Sequence, residues 1–179
     1  MNESLKIKKI VGLGLLTALL MVFQFIGNYI AIGPVNINLS LVIIALGAIV
    51  YGPLSGLFLG LINGVITIIS PSTLALFMPV SPVGTILICL LKTGLAGLLA
   101  GLIYKLFEKI KKPKIGAVFA GFLLPIVNTL IFAGGSLIFF QPLLNQSINA
   151  NMPNAFMVLI LGFIGVNFFV EIGVTTLLT

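Results

Sequence analysis

The chain has 179 residues, 60% of them hydrophobic and 7% charged, with nine lysines against three acidic residues and neither Arg nor His. Soluble domains carry roughly a quarter charged residues, so a chain with a mean hydropathy of +1.32 has too little polar surface to face water and takes a bilayer as its solvent. The positive balance is not a nucleic-acid footprint, because the lysines lie where membrane topology places them.

The N-terminus is basic up to Lys9, and the apolar run that follows exceeds the roughly 7–15 residues of a signal-peptide core. The expectation is a first transmembrane helix at about Ile10–Ile32. A second, Leu39–Tyr51, and a third, Pro53–Ile69, are short and meet at Tyr51-Gly52-Pro53. Together they exceed one span of about 20 residues, and Gly-Pro breaks helices, so two short, tilted or partly re-entrant helices are expected. The fourth helix is predicted at Gly84–Phe107, the fifth at Ile115–Phe140 and the sixth at Ala155–Leu178.

Gly56, Gly60 and Gly64 in the third helix, and Ala96, Gly97, Ala100 and Gly101 in the fourth, form small-residue stripes. Such stripes let helix backbones approach in a bilayer, where no hydrophobic effect drives association, and predict close internal packing. Neither a domain boundary nor an internal repeat is visible. The expected fold is a single all-α transmembrane domain over residues 1–179, without the inverted repeats of many transporters.

Orientation follows from the lysines. Lys6, Lys8 and Lys9 precede the first helix, and Lys105, Lys109, Lys111, Lys112 and Lys114 fill the connection between the fourth and fifth. Six helices put both places on one side, and the positive-inside rule makes that side, with both termini, cytoplasmic. The opposite connections, about Gly33–Asn38, Ser70–Val83 and Gln141–Asn154, hold no charge and six of the nine prolines. They read either as ordered loops capping a cavity or as ordinary short outer loops.

The chemistry available is narrow. There is no GxxxxGK[ST] loop for ATP, no Ser-His-Asp set and no HExxH. Of the three acidic residues only Glu171 lies within an apolar stretch, which excludes paired-carboxylate catalysis. Cys89 is a single cysteine in an apolar segment, so it forms no intrachain disulfide, and without His there is no Cys/His metal site. No enzyme, cofactor or metal centre is expected; transport or binding remains.

A charge inside hydrocarbon costs several kcal/mol and normally faces a cavity, a partner charge or the protein interior. Lys92 and Glu171 are the two charges so placed. At about 1.5 Å per residue, Lys92 lies roughly 12 Å below the outer end of the fourth helix, with Thr85 on its face. Asn128 and Asn167 lie roughly 18 Å deep by the same rise, and Glu171 is one turn beyond Asn167. Converging faces would form a polar pocket in an apolar wall. The alternatives are a structural Lys92–Glu171 ion pair, an Asn128 that satisfies carbonyls freed by Pro125, an Asn167 that bonds helix to helix, and an Asn63 engaged locally.

Three stretches then carry a family likeness: Gly33-Pro34-Val35-Asn36-Ile37-Asn38-Leu39-Ser40, Tyr51-Gly52-Pro53-Leu54-Ser55-Gly56, and Leu124-Pro125-Ile126-Val127-Asn128-Thr129 together with Asn167-Phe168-Phe169-Val170-Glu171. With the chain length and six predicted helices, the sequence resembles the substrate-binding S component of an energy-coupling factor (ECF) vitamin transporter over nearly its whole length. The resemblance implies a prokaryotic plasma-membrane protein that captures a scarce micronutrient from outside. It implies docking on a membrane T component driven by two ATPase subunits, and delivery by toppling in the bilayer. The pocket would involve Lys92, Asn128, Asn167, Glu171, Thr85, Asn36 and Asn38. Gly14 and Ala18 match the small-residue patch that meets the T component, with Gly14 departing from the family's alanine. The lack of Trp sets the chain apart from the Trp-rich thiamin type. Lys92 favours a carboxylate such as lipoate, pantothenate or nicotinate; Glu171 favours an amine or ring N–H; a mutual pair would admit a neutral solute. A self-sufficient small transporter or channel, or a membrane scaffold, is the alternative.

Overall fold

The computed structural model describes residues 3–29, 31–32, 35–148 and 153–179, and the side chains of 6–28, 37–148 and 153–179. Helix α1 (Glu3–Tyr29) begins earlier than predicted and carries the first three lysines on its opening turns. Lys and Glu are good helix formers, so the helix extends beyond its apolar part. After it comes a small antiparallel ribbon of β1 (Ala31–Ile32) and β2 (Val35–Asn36), with Ala31 opposite Asn36 and Ile32 opposite Val35. The ribbon is a short addition to a fold that is otherwise all-helical among the described residues, as expected.

The rest of the described chain is helical. Helix α2 (Leu41–Tyr51) is apolar all round and buried along most of its length, as a helix without a polar face must be. Gly52, at φ 95° and ψ 174°, makes the turn into α3 (Pro53–Ile68). That region of conformational space is essentially glycine-only, and Pro53 then sits at the first helical position, where its missing N–H costs nothing. At 11 and 16 residues, these helices rise only about 16 and 24 Å, short of a hydrocarbon core of about 30 Å. Next come α4 (Pro71–Leu76), α5 (Pro82–Lys109), α6 (Pro113–Phe139) and α7 (Gln141–Gln146). The short helices α4 and α7 lie within connections that the sequence pattern left as loops. The last apolar run, Ala155–Leu178, comprises α8 (Ala155–Met157), a π-helical segment (Val158–Ile164) and α9 (Gly165–Leu178). That run, α1, α5 and α6 are each long and apolar enough to cross a membrane. Their outward side chains, such as Ile138, Phe169 and Leu177, are over 70% exposed and suit a lipid surroundings.

Helices α3 and α5 meet backbone to backbone. A Cβ at Gly56 would fall on the Gly97 carbonyl, one at Gly60 on the Thr93 carbonyl, and one at Gly64 on that of Cys89. Going down one helix by four residues goes up the other by four, an antiparallel register held by the glycines. Thr93 Oγ1 lies 2.6 Å from the Gly60 carbonyl oxygen and donates across this seam. Gly101 meets Pro53 at its end.

The bundle is layered along its axis. Lys105 lies beside Gly52, and Tyr51 beside Gly12 of α1, so the lysine-rich segments share one end with the α2–α3 turn. An apolar core of Leu20, Leu41, Ile44, Leu59, Ala96 and Leu124 fills the part nearer that end. A second apolar cluster of Phe77, Ile88, Phe140, Leu144, Leu159 and Phe163 closes the opposite end. The polar residues lie between them.

The glycine seam makes a specific prediction. Gly97→Val should lower the thermal midpoint of the purified protein by the equivalent of about 1–3 kcal/mol, the usual cost of overpacking. Gly14→Val, where nothing lies within 4 Å of a new Cβ, should stay within about 0.5 kcal/mol of the parent. Equal midpoints in a detergent melting assay would show that the seam tolerates side chains.

Candidate functional site: a polar layer between two apolar cores

The site is built one helical turn beyond the apolar core. Gln24 follows Leu20, Asn63 follows Leu59 and Asn128 follows Leu124 by four residues, while Lys92 precedes Ala96 by four. Residues four apart share a helix face, so each helix that buries an apolar residue in the core turns a polar one into the layer above it. One turn further, Ile88 and Phe132 return to apolar chemistry.

The connection entering α2 supplies the inner wall. Ser40, fully buried, has its Oγ 2.9 Å from Gln24 Oε1 and 2.7 Å from Asn63 Oδ1, and also contacts Asn38 Oδ1. A hydroxyl has one proton, so Ser40 donates to one of these three amide oxygens at a time. Asn63 also reaches Asn38 at 3.5 Å. The local engagement expected for Asn63 is thus a link between α3 and this connection. Gln24 and Ser40 were not picked out in the sequence; an isolated Gln within an apolar helix was the available signal.

Glu171 closes the wall from the other side of the bundle. Its Oε1 accepts a hydrogen bond of 2.9 Å from the backbone N–H of Asn38. Asn167, Glu171 and Thr175 are buried at a spacing of four along α9. Their inward aim depends on the π segment, where the Gly165 N–H bonds back to the carbonyl of Ile160, five residues away. A π turn adds about one residue to the helix, which shifts its face by roughly 100°. Gly165 takes a φ of 29° at this junction, a conformation that favours glycine.

Two adjoining lobes open within the layer. Asn38, Lys92 and Phe132 line both. The first lobe adds Gln24, Ser70, Thr73, Phe77, Thr85 and Phe140, and the second Asn128, Phe163, Asn167, Phe168 and Glu171. Each is a small cavity of about 50 Å³, which suits a compact solute. Lys92 Nζ stands 5.2 Å from the centre of the Phe132 ring, a cation–π distance. Lys92 and Glu171 share the second lobe without forming a direct ion pair among the described residues.

The structure therefore brings Lys92, Asn128, Asn167, Glu171, Thr85 and Asn38 to one chamber. Thr85 donates its hydroxyl to the Ser81 carbonyl at 2.8 Å, leaving lone pairs for the lobe. Asn128 Oδ1 is buried and meets no donor among the described residues, and no bond from Asn128 to a carbonyl freed by Pro125 is present. The side chain of Asn36 lies outside the described residues. Gly14 and Ala18 are exposed on α1, far along the chain from the chamber. Gly14 lines a shallow apolar groove with Ile10, Leu13, Thr17, Phe58 and Ile62.

An apolar helical bundle enclosing a compact chamber with a cation and a carboxylate that form no direct ion pair among the described residues has the form of a membrane protein with a site for a small solute. The family described as ECF transporter, substrate-specific component, matches residues 8–179, and the chain belongs to that family. It is a non-catalytic, substrate-binding subunit of an ECF transporter, a family membership that implies association with T and ATPase components. No curated protein and no solved structure gives a significant match.

The Ser40 network carries a testable cost. Asn63→Leu removes one of the buried amides around Ser40 and leaves the hydroxyl and Asn38 short of a partner, a loss of about 1–3 kcal/mol. A lower thermal midpoint is expected; a midpoint equal to that of the parent would mean that the network contributes nothing to the fold.

Proposed function

We propose that the chain spans the plasma membrane of a prokaryote six times, with both termini cytoplasmic, and captures a vitamin-like micronutrient from outside. Two short helices, α2 and α3, cross as a tilted pair, and the lysine-rich end faces the cytoplasm by the positive-inside rule. The observation that carries the reading is the chamber itself. It lies toward the end away from the lysines, beneath an apolar cap, with Lys92 held on Phe132 and in no direct ion pair among the described residues, although Glu171 borders the same lobe. A cation kept unpaired in an apolar wall is costly, and a solute carboxylate would offset that cost.

In this reading Lys92 binds the carboxylate, and Thr85, Asn38, Asn128, Asn167 and Glu171 surround the rest of the solute, with Asn36 on the connection that borders the chamber. The loaded subunit docks through the Gly14–Ala18 face of α1 on a T component driven by two ATPase subunits and topples to release its cargo inside. The exposure of both small residues and the apolar groove beside Gly14 support a docking face. Carboxylates such as lipoate, pantothenate or nicotinate fit the charge of Lys92.

Lys92→Met should weaken binding of the co-purifying anionic solute about tenfold or more, in keeping with a charge-assisted hydrogen bond of about 1.5–3 kcal/mol, while the protein still folds. Equilibrium binding in detergent measures this; an unchanged affinity would assign Lys92 a structural role. Ala18→Trp should leave solute binding intact and abolish uptake by cells that supply the partner subunits. Normal uptake by that variant would move the docking face elsewhere, and solute flux through liposomes holding this chain alone would identify a self-sufficient transporter.

A further inference from the structure

The second lobe has a chemical polarity of its own. Glu171 presents two carboxylate oxygens, and among the described residues only the Asn38 N–H donates to them, at Oε1. Asn128 is 5% exposed, lines the same lobe, and its Oδ1 has no donor among the described residues. Glu171 and Asn128 therefore border one small space, which Lys92 also lines. An unsatisfied buried acceptor costs about 1–3 kcal/mol and a charged one more, so this end of the chamber is incomplete as a hydrogen-bonding system. A bound anion or a bare hydrocarbon would leave it so.

From this we infer that the solute places hydrogen-bond donors, N–H or O–H, against Glu171 and Asn128, apart from the group it offers to Lys92, which lines the same lobe. The inference rests on the proposed function and narrows its substrate class to a carboxylate that also carries donors within a compact frame. Phe132, Phe163 and Phe168 around the lobe supply apolar walls for the carbon skeleton.

The experiment purifies the full chain in detergent after exposure to a low-molecular-mass cell extract, releases the retained solutes, and identifies them by mass spectrometry. The expected result is a carboxylate bearing N–H or O–H donors, retained near one per chain by the parent. Retention should drop about tenfold or more in Glu171→Gln and in Asn128→Leu. Both variants should fold, since glutamine keeps an oxygen for the Asn38 N–H and leucine replaces a buried side chain that bonds to nothing described; the thermal midpoint without solute checks this. A retained carboxylate without donors, or undiminished retention by both folded variants, would overturn the inference and leave the proposed function standing. No solute retained by the parent would overturn both.

Discussion

One hydrogen bond ties the two ends of the sequence together across the site. The Asn38 backbone N–H and the Glu171 carboxylate are 133 positions apart, and their contact fixes where α9 stands relative to the connection that enters α2. Inside an apolar bundle each polar group has to find its partner within the protein. The bond therefore sets which side of α9 faces inward, and with it where Asn167 lies. The same connection carries Ser40, whose hydroxyl gathers Gln24 of α1 and Asn63 of α3. A short stretch of chain thus organises polar groups from widely separated helices into one layer.

The layer is stable in an apolar protein because it is sandwiched. The aliphatic core below it and the aromatic cluster above it, in which the Phe77 ring lies 4.8 Å from that of Phe140 and 5.9 Å from that of Phe132, exclude lipid and bulk water from the chamber. Low polarity around the site strengthens each remaining electrostatic contact. Lys92 resting on Phe132 is one case, and the carboxylate of Glu171 held by a backbone amide is another. In the proposed reading, binding chemistry comes from few groups, and their surroundings make them count.

Much of this was legible in the sequence. The positions of the long helices, the break at Gly52-Pro53 and the internal seam of Gly56, Gly60, Gly64 and Gly97 follow from apolar run length and small-residue spacing, which are local properties. Lys92 and Glu171 stood out because charge within hydrocarbon is rare. Three features were beyond reach. The π segment at Val158–Ile164 has the composition of any apolar helix, so the rotation it gives α9 leaves no trace in residue spacing. The role of Gln24 depends on a serine 16 positions away, a tertiary relation that periodicity does not carry. Helices α4 and α7 are six residues each, too short for a periodic signal, and owe their form to the cluster they cover.

The glycine contact of α3 with α5 has a consequence for how such a protein diversifies. Two main chains in van der Waals contact have no intervening side chains to exchange, so that pair of helices serves as a fixed datum. In the proposed reading, a switch of cargo falls most readily on the facing wall, where α6 and α9 meet the chamber through Asn128, Phe132, Asn167 and Glu171, while Lys92 and Thr85 of α5 stay in place. One half of the molecule holds its shape so that the other half is free to vary.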